Sequence, residues 1–253
     1  MIKKRLIGSI IIKNNWAVQS FSYKKYLPVG NPISLVKNLN SWGVDEILIN
    51  VIDRSNLNLG PDFNLLKQIQ SLNIETPLIY SGGIQNLDQA KEVLRLGADR
   101  IVIESIIDNN FNELKKISNF IGSQSIIASI PIIKNQGKIF EYNYKNKSIE
   151  NISNNKLIMK NNQLASEFLI TDVINEGYDD KFNLDLIKKF PLKNKKLICF
   201  GGIKTKKIIE KILKNKNVSA IAIGNSLNFK EHSVQNLKKK LSKKIFRKEF
   251  YID

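Results

Sequence analysis

Short apolar runs rich in β-branched residues alternate along the chain with longer segments whose apolar residues recur at helical spacing. This alternation is typical of βαβ units and a parallel sheet. The runs are apolar throughout rather than at every second residue, as expected for strands that are covered on both faces. The pattern predicts strands at residues 5–12, 46–52, 77–80, 100–103, 125–130, 167–170, 196–200 and 219–223.

The segments between these strands complete the prediction of the fold. Helical periodicity is clearest at residues 32–42, 63–72, 87–96 and 111–121, and Gly97 follows the third of these helices where a C-cap glycine is expected. Eight strand–helix units in 253 residues match the (β/α)8 or TIM barrel, for which one domain of roughly 200–250 residues is routine. We therefore predict a single α/β barrel domain over residues 1–253.

One segment interrupts the regular pattern. At Asn135-Gln136-Gly137 the sequence is typical of a tight turn between two short strands. We expect an inserted hairpin followed by a polar loop, together occupying residues 132–163.

The two halves of the chain resemble each other at a spacing of about 120 residues. The segment Ser81-Gly82-Gly83-Ile84 recurs as Phe200-Gly201-Gly202-Ile203, and residues 98–105 are echoed by 219–225. Two half barrels of four units each explain this internal repeat.

The repeated glycines follow predicted strands three and seven, at the barrel face where active sites of this fold lie. Exposed backbone amides at such positions can hold a phosphate group, although a glycine pair can also serve only to form a tight turn. The repeat favours two phosphate cradles, formed by Gly82, Gly83 and Ser105 on one side and by Gly201, Gly202, Gly224 and Asn225 on the other.

Composition limits the chemistry and the compartment. Cys199 is the only cysteine and His232 the only histidine, which excludes an intramolecular disulfide and the common zinc sites. We expect neither a metal nor a cofactor, a buried Cys199, and His232 at the surface beside the last helix. The lack of disulfides fits a reducing compartment, and the longest apolar runs fall short of the ~18 residues of a membrane span. A cytoplasmic protein without membrane contact is therefore expected.

The net charge of +17, from 40 Lys and Arg against 23 Asp and Glu, permits two interpretations. A basic tail at residues 238–248 could bind nucleic acid or an acidic glycan. Alternatively, the joint abundance of Lys, Asn and Ile reflects a biased codon supply. The scatter of most lysines favours the second interpretation, so a nucleic-acid partner is not expected.

A resemblance to a known family covers nearly the whole chain. The segments that carry it are Lys4-Arg5-Leu6-Ile7, Gly30-Asn31-Pro32, Gly43-Val44-Asp45-Glu46, Gly82-Gly83-Ile84, Gly97-Ala98-Asp99-Arg100, Phe120-Ile121-Gly122-Ser123-Gln124, Gly201-Gly202 and Ser226-Leu227-Asn228-Phe229-Lys230-Glu231. In their order and spacing these segments resemble the cyclase subunit of imidazole glycerol phosphate synthase. The chain is most similar to divergent paralogues linked to sugar amidation in surface-polysaccharide pathways.

The resemblance implies a barrel that pairs with a glutaminase subunit as a heterodimer and receives ammonia from it. The family's substrate carries a phosphate at each end, so the resemblance also implies a phosphate-bearing small molecule. The implied phosphate-binding residues are Gly82, Gly83, Ser105, Gly177, Gly201, Gly202, Gly224 and Asn225.

The catalytic positions depart from the family. Its two ring-closing aspartates align here with Ile11 and Pro131, neither of which can transfer a proton, so no catalytic residue is predicted. A general acid or base typically contributes about 10²–10⁴-fold to a rate, so most cyclase activity should be lost. In addition, Glu104 replaces an asparagine beside the first phosphate cradle, where a carboxylate would repel phosphate.

The amino-terminal end of the barrel departs less from the family's pattern than the catalytic positions do. The resemblance implies an ammonia gate at Arg5, Glu46, Arg100 and Glu167, and a contact with the glutaminase at Asp99. These charges could alternatively form only solvated salt bridges. Retention of the gate without the ring-closing acids favours a subunit that conducts ammonia to a third protein, a sugar amidotransferase.

Two other hypotheses remain open at this point. One is an active cyclase of histidine biosynthesis whose acids are displaced to Asp53 or Asp172. The other, of a different class, is a non-catalytic protein that binds polyanions through its basic tail.

Overall fold

Eight parallel strands close into a barrel in the computed structural model, which describes residues 3–160, 162–228, 232–241 and 246–247. The strands of the described residues are β1 (Arg5–Lys13), β2 (Trp16–Phe21), β3 (Lys25–Gly30), β4 (Glu46–Val51), β5 (Leu78–Ser81), β6 (Arg100–Ile103), β7 (Ile126–Asn135), β8 (Lys138–Asn143), β9 (Ser148–Asn151), β10 (Glu167–Asp172), β11 (Lys196–Phe200) and β12 (Val218–Ile223).

Around the barrel, the order of the strands is β1, β4, β5, β6, β7, β10, β11 and β12, and β12 pairs with β1 to close the ring. Every one of these neighbouring pairs is parallel. The predicted (β/α)8 fold class is therefore confirmed.

Helices follow most of the barrel strands. They are α1 (Pro32–Ser41), α2 (Phe63–Gln70), α3 (Leu87–Arg95), α4 (Ser105–Asn109), α5 (Phe111–Ile121), α6 (Lys156–Met159), α7 (Asp185–Lys189), α8 (Lys206–Leu213), α9 (Asn225–Asn228) and α10 (Ser233–Lys240), with 3₁₀ turns at Ser123–Ser125, Ile152–Asn154 and Asn162–Leu164. Gly97 follows the end of α3 with a φ of 99°, the left-handed conformation expected of a glycine that ends a helix.

Each barrel strand contributes to two apolar layers. In β1, Leu6 and Ile10 pack between the barrel and the helices, whereas Ile7 and Ile11 point into the barrel. Successive side chains of a strand point to opposite faces, and both faces are buried here. This explains why the strands are continuously apolar in sequence.

Two antiparallel hairpins rise from the carboxyl end of the barrel. The first pairs β2 with β1 and with β3, and it connects to β1 through Asn14 and Asn15, whose φ values are 49° and 64°. The second pairs β8 with β7 and with β9, and it connects to β7 through Gln136 and Gly137, whose φ values are 44° and 76°. Two consecutive positive φ values are characteristic of the type I′ hairpin turn.

Sequence analysis missed the first hairpin. The sequence contains a signal for it, because Asn14-Asn15 separates two apolar runs. This pair occupies the same position in the first half of the internal repeat as Gln136-Gly137 occupies in the second half. The internal repeat therefore includes the hairpins as well as the barrel strands.

A buried ion pair fastens helix α10 to the amino-terminal end of the barrel. Lys238 Nζ lies 3.0 Å from Asp45 Oδ1 and donates a hydrogen bond of 2.7 Å to the Gly43 carbonyl. The side chains of Lys238 and Asp45 are only 2% and 3% exposed. Lys238 therefore does not belong to an exposed basic surface, which contradicts the polyanion-binding interpretation at this residue.

Two of the segments considered in the sequence analysis lie partly outside the described residues. These are the basic tail, at residues 242–245 and 248, and the segment 226–231 that resembles the family, at residues 229–231.

In the parts of the chain that the structure describes, no helix is both long and apolar enough to cross a membrane. Cys199 is buried, as predicted, and His232 is exposed at the start of α10.

Candidate functional site

The carboxyl ends of the barrel strands open into a cavity of about 510 Å³ beneath the two hairpins. We call it the mouth cavity. Inward-facing residues of the barrel, including Val102, Ser129 and Leu169, form its floor, and tyrosines of the hairpins form its roof. These roof tyrosines are Tyr23, Tyr26, Tyr142 and Tyr144. An adjoining cavity of about 670 Å³ shares Glu104, Ser105, Tyr142 and Tyr144 with it.

The two positions of the family's ring-closing acids carry no ionisable group. Ile11 is 1% exposed and packs inside the barrel with residues such as Val18 and Leu48. Pro131 is buried and lines the adjoining cavity. Apolar side chains therefore occupy both positions that the resemblance assigns to the ring-closing acids.

Neither of the alternative acids lines the mouth cavity. Asp53 accepts a hydrogen bond of 2.8 Å from the amide of Asn14. Asp172 accepts from the amides of Asn175 and Asn183 at 3.3 and 2.8 Å, and its burial raises its pKa. Both aspartates are thus held by loop amides, and the geometry gives no support to a displaced acid pair.

Glu104 is the only acidic residue among the described residues that line the mouth cavity. It follows β6 directly, and the hydroxyl of Ser129 on β7 donates a hydrogen bond of 2.6 Å to its Oε2 atom. Sequence analysis identified Glu104 only as an obstacle to phosphate. The structure shows that its carboxyl belongs to the floor of the cavity.

The repeated glycine pairs have a packing reason that does not involve a ligand. A Cβ atom at Gly82 would lie 2.5 Å from the carbonyl oxygen of Val51, and one at Gly201 would lie 2.7 Å from that of Asp172. Both glycines also have positive φ values, of 138° and 97°, which side-chain-bearing residues rarely adopt. The close approach of the preceding barrel strand therefore requires glycine at both positions.

The first group of predicted phosphate-binding residues lies together in the mouth cavity. Gly82, Gly83 and Ser105 all line it, next to Glu104. The amide of Gly83 already donates a hydrogen bond of 3.2 Å to the hydroxyl of Ser55. A phosphate here would face a nearby carboxylate and would compete for this amide.

The second group surrounds a much smaller space. Gly177, Gly201, Gly202, Gly224 and Asn225 line a cleft of about 30 Å³, which has room for only a few waters. The side chain of Asn225 is bonded to the backbone of β2, because it accepts from the amide of Ser20 and donates to its carbonyl at 2.9 Å. The β2–β3 hairpin therefore occupies the side chain of Asn225, which a ligand in this cleft could otherwise use.

Glu176 fastens this hairpin over the mouth, a role that sequence analysis missed. Its carboxylate accepts hydrogen bonds from the Ser20 hydroxyl at 2.8 Å and from the Tyr23 amide at 3.2 Å. Its backbone carbonyl accepts from the Ser22 amide at 2.9 Å. Burial of the carboxyl raises the pKa of Glu176 to about 6, because the charged form loses more hydration than these bonds restore.

Substitution of this carboxyl should change how stability depends on pH. The folded protein holds the Glu176 proton more tightly than the unfolded chain, so the contribution of Glu176 to stability is lost as the pH rises from the ordinary pKa of 4.5 through about 6. Glu176→Gln removes this loss. We expect its stability relative to wild type to increase by about 2 kcal/mol between pH 4 and pH 7 in urea unfolding.

The control for this experiment is Glu150→Gln, which removes an exposed carboxylate of β9. Its stability relative to wild type should stay constant over the same pH range. A Glu176→Gln difference that is equally flat would contradict a raised pKa at Glu176.

At the amino-terminal end of the barrel, four charged side chains form a closed ring of alternating sign, the charged ring. Arg5 lies 2.7 Å from Glu167 and 3.4 Å from Glu46. Arg100 lies 2.6 Å from Glu167 and 3.6 Å from Glu46. The four residues predicted as an ammonia gate are thus in mutual contact across the base of the barrel.

The two carboxylates of the ring differ in their environment. Burial opposes ionisation of Glu167, but the charges of Arg5 and Arg100 and hydrogen bonds from Arg5 and Ser219 outweigh it, so the pKa of Glu167 lies below its ordinary value. Burial outweighs the same two arginines at Glu46 and raises its pKa. The charged form is therefore favoured more strongly at Glu167 than at Glu46.

Asp99, the predicted contact with the glutaminase, is exposed beside the charged ring. Its Oδ2 atom accepts a hydrogen bond of 2.7 Å from the amide of Leu78, at the start of β5. Asp45 does the same for the amide of Leu6, also at 2.7 Å. The repeated Gly-x-Asp segments thus bridge neighbouring strands, and Asp99 has this structural role whether or not a partner binds.

Comparisons with known proteins agree with this architecture. Residues 5–233 match the model of a family described as histidine biosynthesis protein. A Vibrio vulnificus protein is 31% identical over 206 residues, which span 80% of this chain and 75% of the relative, and it bears the provisional name imidazole glycerol phosphate synthase subunit hisF2. A Campylobacter jejuni protein with the same provisional name is 29% identical over 97% of this chain and 98% of its own. The imidazole glycerol phosphate synthase subunit HisF of Staphylococcus aureus is 27% identical over 94% of this chain and 96% of its own.

Proposed function

The chain belongs to the histidine biosynthesis protein family as a barrel of the HisF type, and from this premise we propose that it conducts ammonia in a glutamine-dependent amidotransferase complex. A glutaminase subunit docks at the amino-terminal end of the barrel, beside Asp99, and supplies the ammonia. The barrel passes it to a third protein that amidates a sugar in surface-polysaccharide biosynthesis. The chain itself no longer closes the imidazole ring.

The observation that carries this proposal is the charged ring of Arg5, Glu46, Arg100 and Glu167. Its ion pairs of 2.6 and 2.7 Å at Glu167 are close, and the side chains of the ring are between 8% and 24% exposed. A buried ion-pair network is costly in desolvation and is weak evidence for stability. The core of a barrel is normally filled by apolar side chains, and a gate for a small neutral molecule gives four charges at its end a function.

The interior above the ring also supports conduction of a neutral molecule. Ile7, Leu48 and Leu169 belong to an apolar layer inside the barrel, which would exclude ions and keep ammonia unprotonated. Ser9, which the alternation of β1 directs to the same interior, has a buried hydroxyl with no hydrogen-bond partner among the described residues. Such a hydroxyl can bond an ammonia molecule in passage.

Loss of ring closure is supported by two apolar residues, Ile11, which packs inside the barrel, and Pro131, which lines the adjoining cavity. Phosphate binding at Gly82, Gly83 and Ser105 and at Gly177, Gly201, Gly202, Gly224 and Asn225 stays a prediction. The packing reason for the glycines and the carboxyl of Glu104 do not favour it, so the proposed function does not depend on it.

A change in the ring should uncouple glutamine hydrolysis from product formation. We expect Arg5→Gln to lower glutamine-driven product formation in the complete complex at least about tenfold, while ammonium-driven formation stays near wild type. The reason is that loss of one arginine leaves the buried carboxylates under-compensated, so the ring no longer closes the path between glutaminase and barrel. The two rates are measured on the same preparation.

The matched control is Arg100→Lys, which keeps the charge of the ring. It should retain coupling, because a lysine can still pair with Glu46 and Glu167. Copurification of the chain with its glutaminase is the first step of the same experiment. If no glutaminase binds, or if Arg5→Gln stays fully coupled, the ring is only a structural ion-pair cluster and the proposed function is wrong.

A further inference from the structure

The exposed large apolar side chains of the protein are concentrated on the face that carries the mouth cavity. Nine such side chains are exposed among the described residues, and seven of them belong to the hairpins and loops at the carboxyl ends of the barrel strands. Single exposed apolar residues are ordinary, but their concentration on one face indicates a contact surface. Six of the seven are 43–60% exposed and form what we call the apolar rim: Trp16, Leu27, Leu57, Leu59, Ile174 and Tyr178.

A hydrogen-bonded junction connects the first hairpin to the loop between β4 and α2. The amide of Asn14 donates to Oδ2 of Asp53 at 2.8 Å. The backbone carbonyl of the same aspartate accepts a hydrogen bond of 3.1 Å from the amide of Leu57. Trp16 directly follows the hairpin turn, so the first hairpin presents it beside this loop. Residues 55 and 56 of the loop line the mouth cavity.

The turn between β2 and β3 makes a second junction, with the loop that follows β10. The hydroxyl of Ser22 donates to the carbonyl of Ile174 at 2.7 Å. The rings of Phe21 and Tyr178 are in edge-to-face contact, with their centroids 6.0 Å apart. The apolar rim is therefore a set of segments held together by the first hairpin, rather than side chains on independent loops.

The two hairpins add positive charge to this face. Residues 13–30 contain three lysines and no acidic residue, and residues 134–151 contain four lysines and two glutamates. Two copies of the chain that met through this face would bring like charges together, which disfavours a homodimer here. A partner whose contact surface is acidic fits better. The exposed lysines that such a surface would meet include Lys24, Lys25, Lys145 and Lys147.

The position of the apolar rim indicates which protein covers it. Val102 and Leu169 belong both to the apolar layer inside the barrel and to the lining of the mouth cavity, so the cavity continues the barrel interior. Ammonia conducted through the barrel would emerge at this face, and contact with bulk water would protonate it. Because Ile11 and Pro131 provide no acid pair for ring closure, the reaction that consumes the ammonia takes place on another protein.

We propose that the apolar rim is the docking surface for the enzyme that consumes the ammonia, the sugar amidotransferase, and that this enzyme presents apolar and acidic side chains to it. The closed contact keeps water away from the mouth cavity. Trp16 and Tyr178 are its aromatic anchors, since such residues contribute much of the binding energy of interfaces. This inference rests on the proposed function, because a barrel that conducts no ammonia has no such enzyme to bind.

The docking is measured as the Kd between the isolated full chain and the purified sugar amidotransferase of the complete complex. Leu57→Asp should raise this Kd at least about 30-fold, because it places a carboxylate in a dehydrated contact opposite an acidic surface. Trp16→Ser should raise it at least about tenfold. The double variant Lys24→Glu with Lys25→Glu should slow association about tenfold at low salt, and the difference from wild type should shrink as salt is added.

The controls make the same chemical changes away from the apolar rim. Phe120→Asp replaces an exposed apolar residue near the end of α5, at the amino-terminal end of the barrel, and Lys37→Glu reverses an exposed lysine of α1. Both should bind the amidotransferase as wild type does. All these variants change exposed side chains, so their urea-unfolding midpoints should match that of wild type.

Three results would overturn the docking surface. These are an amidotransferase that does not bind the chain, Leu57→Asp and Trp16→Ser that both bind it like wild type, and a homodimer of the isolated chain that Leu57→Asp abolishes in sedimentation. The measurement uses neither glutamine nor glutaminase, so the two proposals fail separately. Docking through the rim together with a fully coupled Arg5→Gln complex would refute the proposed function alone.

Discussion

Purified chain supplied with saturating ammonium salt and the ring-closing substrate should turn over about 10⁴-fold more slowly than an ordinary cyclase. External ammonium bypasses any glutaminase, so the assay examines the mouth of the barrel alone. The expectation follows from Ile11 and Pro131, which are buried apolar residues where a proton donor and a proton acceptor would stand. Neither Asp53 nor Asp172 lines the cavity in their place.

An active cyclase measured in the same assay provides the reference rate. Turnover of this chain within about tenfold of that rate would contradict the loss of ring closure, because an acid–base pair is worth far more than that. In that event Asp53→Asn and Asp172→Asn would identify whether a displaced acid performs the chemistry. Glu104→Gln would test the remaining carboxyl of the mouth.

Lys238→Met should lower the free energy of unfolding by about 3–5 kcal/mol, the effect expected when one partner of a buried ion pair is removed. The substitution leaves Asp45 buried without the ammonium group that lies 3.0 Å away. The exposed guanidinium of Arg247, whose Nε atom is 4.0 Å from Asp45, can compensate only in part. The measurement is urea unfolding at neutral pH.

Two further variants show whether the buried charge is the cause. Lys240→Met removes an exposed lysine from the same helix and should change stability by less than about 1 kcal/mol. The double variant Lys238→Met with Asp45→Asn should recover part of the loss, because no uncompensated charge is then buried. A loss below about 1 kcal/mol for Lys238→Met alone would show that Lys238 does not anchor the tail.

Much of the fold could be predicted from the sequence because its determinants are local. The apolar strands need burial on both faces, and helical periodicity with a terminal glycine such as Gly97 defines the elements between them. The internal repeat indicated which strands are equivalent. The four residues of the charged ring were named from the resemblance to a known family, and the structure shows that they are the first residues of β1, β4, β6 and β10.

The function of other residues depends on contacts that no local pattern contains. Lys238 is one of several lysines near the end of the chain, and only the packing of α10 brings it to Asp45, 193 positions earlier. Glu176 is a loop glutamate in sequence, but in the structure it binds the β2–β3 hairpin over the mouth. The glycines at 82 and 201 suggested a phosphate cradle, yet the approach of a neighbouring strand is sufficient reason for them.

The sequence by itself therefore determined the barrel and its repeat, because hydrophobic periodicity follows from which faces of an element are buried. The members of the charged ring, and the apolar residues at the expected positions of the ring-closing acids, came instead from the resemblance to a known family. Only the tertiary structure decided that Glu104 faces the mouth cavity, that two hairpins roof it with tyrosines, and that Lys238 is buried. Those features arise from contacts between distant segments, whose energy depends on desolvation and geometry rather than on the order of residues in any one segment.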